Sequence, residues 1–219
     1  MKIGITGAEG FIGSHLRKNL KDPIIFSGDL RNLDEVKKFI AKCDRIYHLA
    51  GKNRTEVGEI LKNNIVSTSN IILSMILENN FSEIIFASSK QVDWNPNSEY
   101  GFTKSVEEEI VKKAKRWCIY KIPNVYGPDC KPFYNSVVAT FSYQLSKNQK
   151  VTINEPRAKR EFIYIDDLIK EMLTPHFNKY QSPKGEVLTI KEIYEYMTTR
   201  LGEHKKIQMC LDYYKMKVL

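Results

Sequence analysis

Thr6-Gly7-Ala8-Glu9-Gly10-Phe11-Ile12-Gly13 follows an alternating apolar start (Met1, Ile3, Ile5) and opens a helical run from Ser14 to Leu20. Strand, glycine turn and helix are the parts of a dinucleotide-binding βαβ unit. In that order the three glycines suit a tight turn, close approach of backbone to a pyrophosphate, and close packing of helix on strand. The diphosphate then lies on unpaired N–H groups at the positive end of the helix dipole. The Gly-x-x-Gly-x-x-Gly spacing differs by one residue from Gly-x-Gly-x-x-Gly. A glycine trio alone is also an ordinary strand-to-helix turn, so the flanking strand and helix carry the weight of the reading.

Composition sets the frame. The chain has 219 residues, 42% hydrophobic and 27% charged, a globular balance with room for one large domain or a domain with a small appendage. No apolar run approaches the ~20 residues that span a bilayer, and the N-terminus enters a strand at once, where a signal peptide would differ. The expectation is a cytoplasmic protein without a membrane partner. Cys43, Cys118, Cys130 and Cys210 are scattered, with no C-x-x-C pair and no His/Glu cluster to ligate a metal. They read as four free thiols, with Cys130, beside Lys131 and Pro132 in a loop, as the one candidate for a reactive thiol. The net charge of +8 permits nucleic acid but equally suits an anionic small substrate. Arg157-Ala158-Lys159-Arg160 is too short for a basic tail and reads as a solvated loop.

Outward from the glycine turn, β and α patterns alternate. Ile24-Ile25-Phe26 is a short strand leading to Ser27-Gly28-Asp29-Leu30-Arg31. Asp29 is placed to hold an adenosine 2′-hydroxyl, as in NAD, and Arg31 to accept a 2′-phosphate, as in NADPH. Spacing leaves both open. A helix over Asp34 to Lys42 precedes Arg45 to Gly51, which reads as a buried strand ending in small residues that let a flat cofactor lie close to backbone. His48 reads as structural. Asn53 and Arg54 lie in a polar loop beyond that strand's carboxyl end, where ligands bind open α/β sheets. A long helix over Ile60 to Asn79 carries Asn64 near its start, facing the cofactor or solvent. The strand Ile84 to Phe86 runs into Ser88-Ser89, a charged helix runs from Tyr100 to about Arg116, and Trp117 to Ile122 is another strand. Pro123 to Pro128 is a turn by composition. Beyond it the pattern predicts a helix over Ser136 to Ser146, strands at Val151–Ile153 and Phe162–Ile165, a helix from Asp166 to about Leu173, a loop over Asn178 to Gly185, a strand at Val187–Ile190 and a helix over Lys191 to Leu201. The basic stretch from Glu203 onward gives no function. The alternation predicts an α/β fold, a Rossmann-type doubly wound parallel sheet, with a core over 1–128 and a small, interleaved substrate-binding region over 129–219.

Tyr100 and Lys104 are four apart at the start of a helix and so share a face. A free tyrosine is a poor proton donor and acceptor at neutral pH. A nearby ammonium favours the phenolate and brings the group toward working range. The same lysine is suited to a nicotinamide ribose, and Ser89 to a substrate carbonyl. Hydride from the cofactor and a proton from Tyr100 turn a ketone into an alcohol. Tyr-x-x-x-Lys is common by chance; its place after Ser88-Ser89, in a chain opening on this glycine turn, makes it specific.

Thr-Gly-x-x-Gly-Phe11-Ile12-Gly13, His48-Leu49-Ala50-Gly51, Ser88-Ser89, Tyr100-x-x-x-Lys104 and Pro123-Asn124-Val125-Tyr126-Gly127 together resemble the extended short-chain dehydrogenase/reductase (epimerase/dehydratase) family. Its members act on nucleotide-linked sugars. Arg160-x-Phe162-x-Tyr164-Ile165-Asp166-Asp167 is similar to that family's later motif. Within the family, Gly51-Lys52-Asn53-Arg54, Pro123-Asn124 and Cys130-Lys131-Pro132-x-Tyr134-Asn135-Ser136 resemble the capsular-polysaccharide UDP-sugar reductases of the CapF type. The resemblance implies reduction by NADPH of the C4 ketone of a UDP-2-acetamido-2,6-dideoxy-hexos-4-ulose, with NAD as the other cofactor to weigh. It implies Tyr100 as acid, Lys104 as its partner and Ser89 as carbonyl ligand. Gly7, Gly10, Phe11, Ile12, Gly13, Asp29, Arg31, Leu49, Ala50, Gly51 and Asn64 would hold the cofactor. Asn53, Arg54, Asn124, Lys131, Asn135 and Arg160 would hold the UDP-sugar. A homodimer follows by analogy. The family's usual C-terminal metal-binding cupin is not expected in a sequence of this length, so the expectation is that any 3-epimerisation falls to a separate epimerase or does not occur. Lys121 stands where the family has arginine.

Two other activities share these parts. A 4,6-dehydratase carries an Asp-Glu pair after the catalytic hydroxyl, and this chain has Lys90-Gln91. A nucleotide-sugar 4-epimerase uses the same tyrosine but recycles bound NAD. A non-catalytic dinucleotide- or RNA-binding protein would show a degraded Tyr/Ser/Lys set, and all three residues are present.

Overall fold

The computed structural model describes residues 1–53, 58–78 and 80–217. Arg54 lies outside them. In chain order the elements are β1 (Ile3–Thr6), α1 (Phe11–Lys18), β2 (Ile24–Ile25), α2 (Leu33–Ile40), β3 (Arg45–His48), α3 (Glu59–Leu77), β4 (Glu83–Ser89), α4 (Gln91–Trp94), α5 (Glu99–Val111) and β5 (Arg116–Ile122). They continue with β6 (Asn124–Tyr126), α6 (Val137–Ser146), β7 (Lys159–Tyr164), α7 (Ile165–Met172), β8 (Lys179–Gln181), β9 (Glu186–Thr189), α8 (Ile190–Thr198) and α9 (Lys205–Met216). The chain divides into two compact units. One holds Met1–Ile122 and Glu171–Pro183, the other Pro123–Lys170 and Lys184–Leu219.

The first unit is a Rossmann-like parallel sheet of order β2-β1-β3-β4-β5-β8 with flanking helices. The chain steps outward from β1 to β2 and then crosses back to β3. The change of direction therefore falls between β1 and β3, where open α/β sheets bind ligands at the strands' carboxyl ends. The central strands are covered on both faces, as parallel strands must be, and Ile46, Tyr47, Ile84, Ile85 and Phe86 are fully buried. Val36 and Ile40 of α2, Ile71 and Met75 of α3, and Val111 of α5 close one core cluster over Ile84, Phe86 and Ile119. The caps are local chemistry. Asn32 accepts the Asp34 and Glu35 N–H groups at the start of α2, and Ser98 accepts the Gly101 N–H at the start of α5.

No run of spanning length is expected from the sequence, yet α3 is 19 residues long with a mean hydropathy of 1.2, long and apolar enough by those measures to cross a membrane. Its apolar residues Ile60, Ile71, Ile72 and Met75 are buried in the first unit's own packing. Leu61, Val66, Leu73, Ile76 and Leu77 on the same helix are exposed.

The second unit has a three-stranded sheet, β6 parallel to β7 and β7 antiparallel to β9. A capping box of Thr189 and Glu192 starts α8. The basic last stretch becomes α9, which packs on α6 and α8 and buries Ile207, Cys210, Leu211 and Tyr214.

Three local expectations are corrected. The turn-rich segment after Asn178 is not all loop: Lys179–Gln181 pairs with Cys118–Tyr120 as β8, because an open edge of β5 recruits backbone that propensity alone assigns to a turn. Pro123–Pro128 holds a strand, β6, since proline is tolerated immediately ahead of a first strand residue. Val151–Ile153 is irregular, with no strand paired to it among the described residues.

Candidate functional site

Gly7 ends β1 with φ +71°, the left-handed region that side chains rarely adopt. A Cβ there would lie 2.6 Å from the Ala50 nitrogen, so the turns after β1 and β3 touch. At Gly13 a Cβ would overlap the Gly7 carbonyl oxygen. Between them the Gly10 N–H donates to Gly7 O at 3.0 Å. Gly10 is the cap of α1 without a side-chain acceptor, and no acid stands in the first turn. Phe11 and Ile12 form that first turn, half-buried. The exposed amides and dipole of such a helix start favour a phosphate. Leu49 holds the next turn, its N–H donating to Thr6 O at 3.2 Å.

A cavity of about 620 Å³ opens there, lined by Gly7, Asp29, Arg31, Ala50, Gly51 and Asn64. Asn63 and Ser67 of α3 also line it. They escaped notice in the sequence, although their spacing of four puts both on one helix face. Asn64 grips the β3 turn with both amide atoms, accepting from Lys52 N at 2.8 Å and donating to Lys52 O at 2.8 Å. A side-chain-free cradle, unopposed helix amides and a cavity at the switch point fit a dinucleotide.

Asp29 and Arg31 do not compete for separate places. Arg31 Nε donates to Oδ1 of Asp29 at 3.0 Å and Nη2 donates to Oδ2 at 2.7 Å. These hydrogen bonds, with the Arg31 backbone N–H, hold the Asp29 carboxyl down to about 2. Both side chains are half exposed at the cavity.

Tyr100 and Lys104 stand together on α5. Lys104 Nζ lies 6.0 Å from the Tyr100 ring centre and 4.4 Å from that of Phe86. Lys104 is 3% exposed, and Nζ is 3.1 Å from Oε2 of Glu107, which is fully buried. The approach is off the direction of a hydrogen bond, so this is an ion pair in which Oε2 keeps an unused acceptor site. Burial disfavours the ammonium, but the Glu107 charge and then Tyr100 outweigh it and hold Lys104 above its ordinary range. Ser89, at the end of β4, accepts the Gln91 N–H at 3.1 Å, a role that leaves its own hydroxyl hydrogen to donate. Ser88 is turned inward and donates to Glu108 at 2.5 Å. His48 is wholly buried; desolvation, with the Lys104 charge, pulls its pKa down to about 3. It is a neutral structural ring.

Of the residues expected at a sugar nucleotide, Asn53 belongs to the first unit, and its Oδ1 is buried with no partner among the described residues. Arg54 lies outside the described residues, and the second unit holds Asn124, Lys131, Asn135 and Arg160. Asn124 donates from Nδ2 to Glu161 O at 3.0 Å, tying β6 to β7. Lys131 and Asn135 are exposed, with Lys131 Nζ 5.5 Å from the Tyr134 ring centre. Arg160 is exposed on β7, 3.5 Å from Glu155. Lys121, in the family's arginine position, donates to Asp93 at 2.6 Å. The four cysteines are free and buried, and burial pushes the Cys130 thiol up, away from a reactive thiolate.

Comparison with known proteins agrees with this layout. The chain is 29% identical over 91% of its length to the UDP-2-acetamido-2,6-beta-L-arabino-hexul-4-ose reductase of Pseudomonas aeruginosa, and spans 59% of that relative. It therefore covers about three fifths of the relative's length. In fold it is similar to the UDP-glucose 4-epimerase of Thermotoga maritima solved with UDP-glucose, at a TM-score of 0.84 with 16% identity over 100% of both chains. It is also similar to the capsular polysaccharide assembling protein CapF of Staphylococcus aureus, at a TM-score of 0.75 with 24% identity over 98% of this chain and 65% of that one. Other neighbours of this fold were solved with NADPH or with NAD. The NAD dependent epimerase/dehydratase family model matches residues 3–190, a span that takes in the glycine turn, the switch-point cavity and the Tyr100–Lys104 helix together, and to that family the chain belongs.

Proposed function

We propose that the protein is an NADPH-dependent reductase of the C4 ketone of a UDP-4-keto-6-deoxy sugar, 2-acetamido-substituted, in nucleotide-sugar biosynthesis for surface polysaccharide. The observation that carries this reading is a buried, ion-paired Lys104 beside Tyr100 on the helix that follows Ser89. The likeness to the Pseudomonas aeruginosa reductase supports the substrate class.

The cofactor would be held by Gly7 to Gly13, Asp29, Arg31, Leu49 to Gly51, Asn64, Tyr100 and Lys104, and when bound it supplies a hydride. Tyr100 gives its phenolic proton to the ketone oxygen as the alkoxide forms. Lys104 holds positive charge beside the phenol, which eases that transfer. Ser89 donates a hydrogen bond to the same oxygen and fixes its place. Asn53, Arg54, Asn124, Lys131, Asn135 and Arg160 hold the UDP-sugar, with lysine and arginine suited to a diphosphate.

The deciding experiment mixes the protein with NADPH and a UDP-4-keto-6-deoxy sugar and follows the absorbance of the reduced nicotinamide. Loss of signal, abolished in Tyr100→Phe, supports the reductase. Sugar turnover without net cofactor loss makes it a 4-epimerase. No turnover, with salt-sensitive RNA binding, overturns both. Arg31→Ala tests the cofactor. A charge-assisted contact to a 2′-phosphate is worth about 1.5–3 kcal/mol, so KM for NADPH rises roughly tenfold or more while that for NADH barely moves. Equal effects on the two return the 2′ position to Asp29.

A further inference from the structure

Beneath Tyr100 and Lys104 the buried polar side chains form one directed run of hydrogen bonds. Its direction follows from counting hydrogens. Thr68 donates its hydroxyl hydrogen to Oε1 of Glu107 at 2.5 Å. Thr68 then offers only lone pairs to Nε2 of His48, 2.9 Å away, so Nε2 carries the ring's hydrogen. A neutral ring in that tautomer presents a lone pair at Nδ1, to which Thr6 donates at 2.7 Å. The Ala50 N–H donates to Thr6 at 3.4 Å. Every donor points toward Glu107, which ends the run as an acceptor. Its second oxygen faces Lys104.

The charges around this point are few. Tyr100, Lys104, Glu107 and Glu108 come from α5. From β3 comes His48, neutral. Phe86 of β4 offers its ring face to Nζ, and α3 offers Thr68 and Asn64, uncharged. Glu108 is engaged by Ser88 and faces Lys121 of β5, Asp93 of α4 and Tyr180 of β8. Among the described residues, Glu107 is the carboxylate in direct contact with Nζ.

Resting on the reductase reading, we propose that Glu107 is a positioning residue for the proton donor: its buried carboxylate is the counter-charge that keeps the Tyr100–Lys104 pair fully protonated and hence ready to give a proton. A buried ammonium without a counter-charge sheds its proton, and a phenol beside an uncompensated ammonium sheds its own. Either loss removes one proton from the coupled pair, so the sign of the effect is the same whichever group yields first. The arrangement suits a reduction, which begins with phenol and ammonium both charged with protons. An oxidation would begin with phenolate.

Glu107→Gln removes the charge and keeps an acceptor for Thr68. In cofactor- and substrate-free protein, the first proton lost by the pair is followed by tyrosinate absorbance, corrected with Tyr100→Phe, together with the NMR shift of the Lys104 ε-carbon. The expected result is a first midpoint lower by about one pH unit, with the alkaline limb of kcat/KM for ketone reduction falling in step. An unchanged midpoint in a folded Glu107→Gln protein overturns the proposal. A purely structural role would change stability and leave the midpoint in place. The unsubstituted protein supplies a second measurement that needs no variant: its Glu107 carboxyl carbon reports an ionised group at neutral pH, and a protonated one there overturns the proposal. The titration needs no substrate, so it tests Glu107 separately. Absence of ketone reduction in the unsubstituted protein is instead the failure of the reductase reading.

Discussion

Tyr100→Phe lowers ketone turnover by about 10²–10⁴-fold, the usual range for loss of a positioned general acid, while reduced cofactor still binds. The hydroxyl is the only atom removed. The phenyl ring remains beside Lys104, and Nζ keeps the Phe86 ring and Glu107 as neighbours. The glycine cradle belongs to different elements altogether, the turns after β1 and β3. Turnover measured at saturating cofactor, alongside a direct binding titration of NADPH, separates the two effects. Weakened cofactor binding with unchanged turnover would overturn the assignment of Tyr100 as proton donor.

Acid destabilises the protein through His48. In the unfolded chain the ring takes up a proton near pH 6.5. In the folded protein it resists protonation down to about 3, held neutral by burial and by the Lys104 charge. Below the unfolded value the unfolded state binds a proton that the native state does not. The stabilisation is therefore complete above about pH 6.5 and is lost as pH falls toward 3, by roughly 1.4 kcal/mol per unit. Over the first two units of that window the loss is about 3 kcal/mol, a large part of a typical domain's stability. Urea unfolding at a series of pH values measures it. His48→Gln cannot titrate, and its stability is expected to fall much less over the same window. Equal slopes in the two proteins would show that His48 is not the group responsible. Asp29 begins to contribute only as pH falls below its unfolded value of about 3.9, since Arg31 holds the folded carboxyl down to about 2.

The parallel sheet was legible because its strands are apolar runs bounded by glycine and polar turns and alternate with helical patterns. β8 was not legible, since the strand-like nature of Lys179–Gln181 resides in the edge it pairs with, not in its own side chains. The face shared by Tyr100 and Lys104 follows from a spacing of four. Glu107 was hidden in the run Glu107-Glu108-Glu109, which has the composition of a solvated helix face. The first two are buried and the third is exposed, a distinction that depends on what packs over each. The pairing of Asp29 with Arg31 was likewise beyond spacing, which set the two as rivals for one ribose position.

The return of the chain at Glu171–Pro183 has a consequence during synthesis. Tyr47 and Tyr120 donate their buried hydroxyls to the carbonyls of Met172 and Glu171, at 3.0 and 2.7 Å, and β8 covers the edge of β5. None of these partners exists when Ile122 leaves the ribosome. At roughly 5–20 residues per second, residues 123–178 take several seconds to emerge. Through that interval the first unit carries an unsealed strand edge and two polar groups without their native acceptors. Nascent chains halted soon after residue 122 are therefore the species most prone to mispairing, and a shortened chain ending there inherits the same exposed edge permanently.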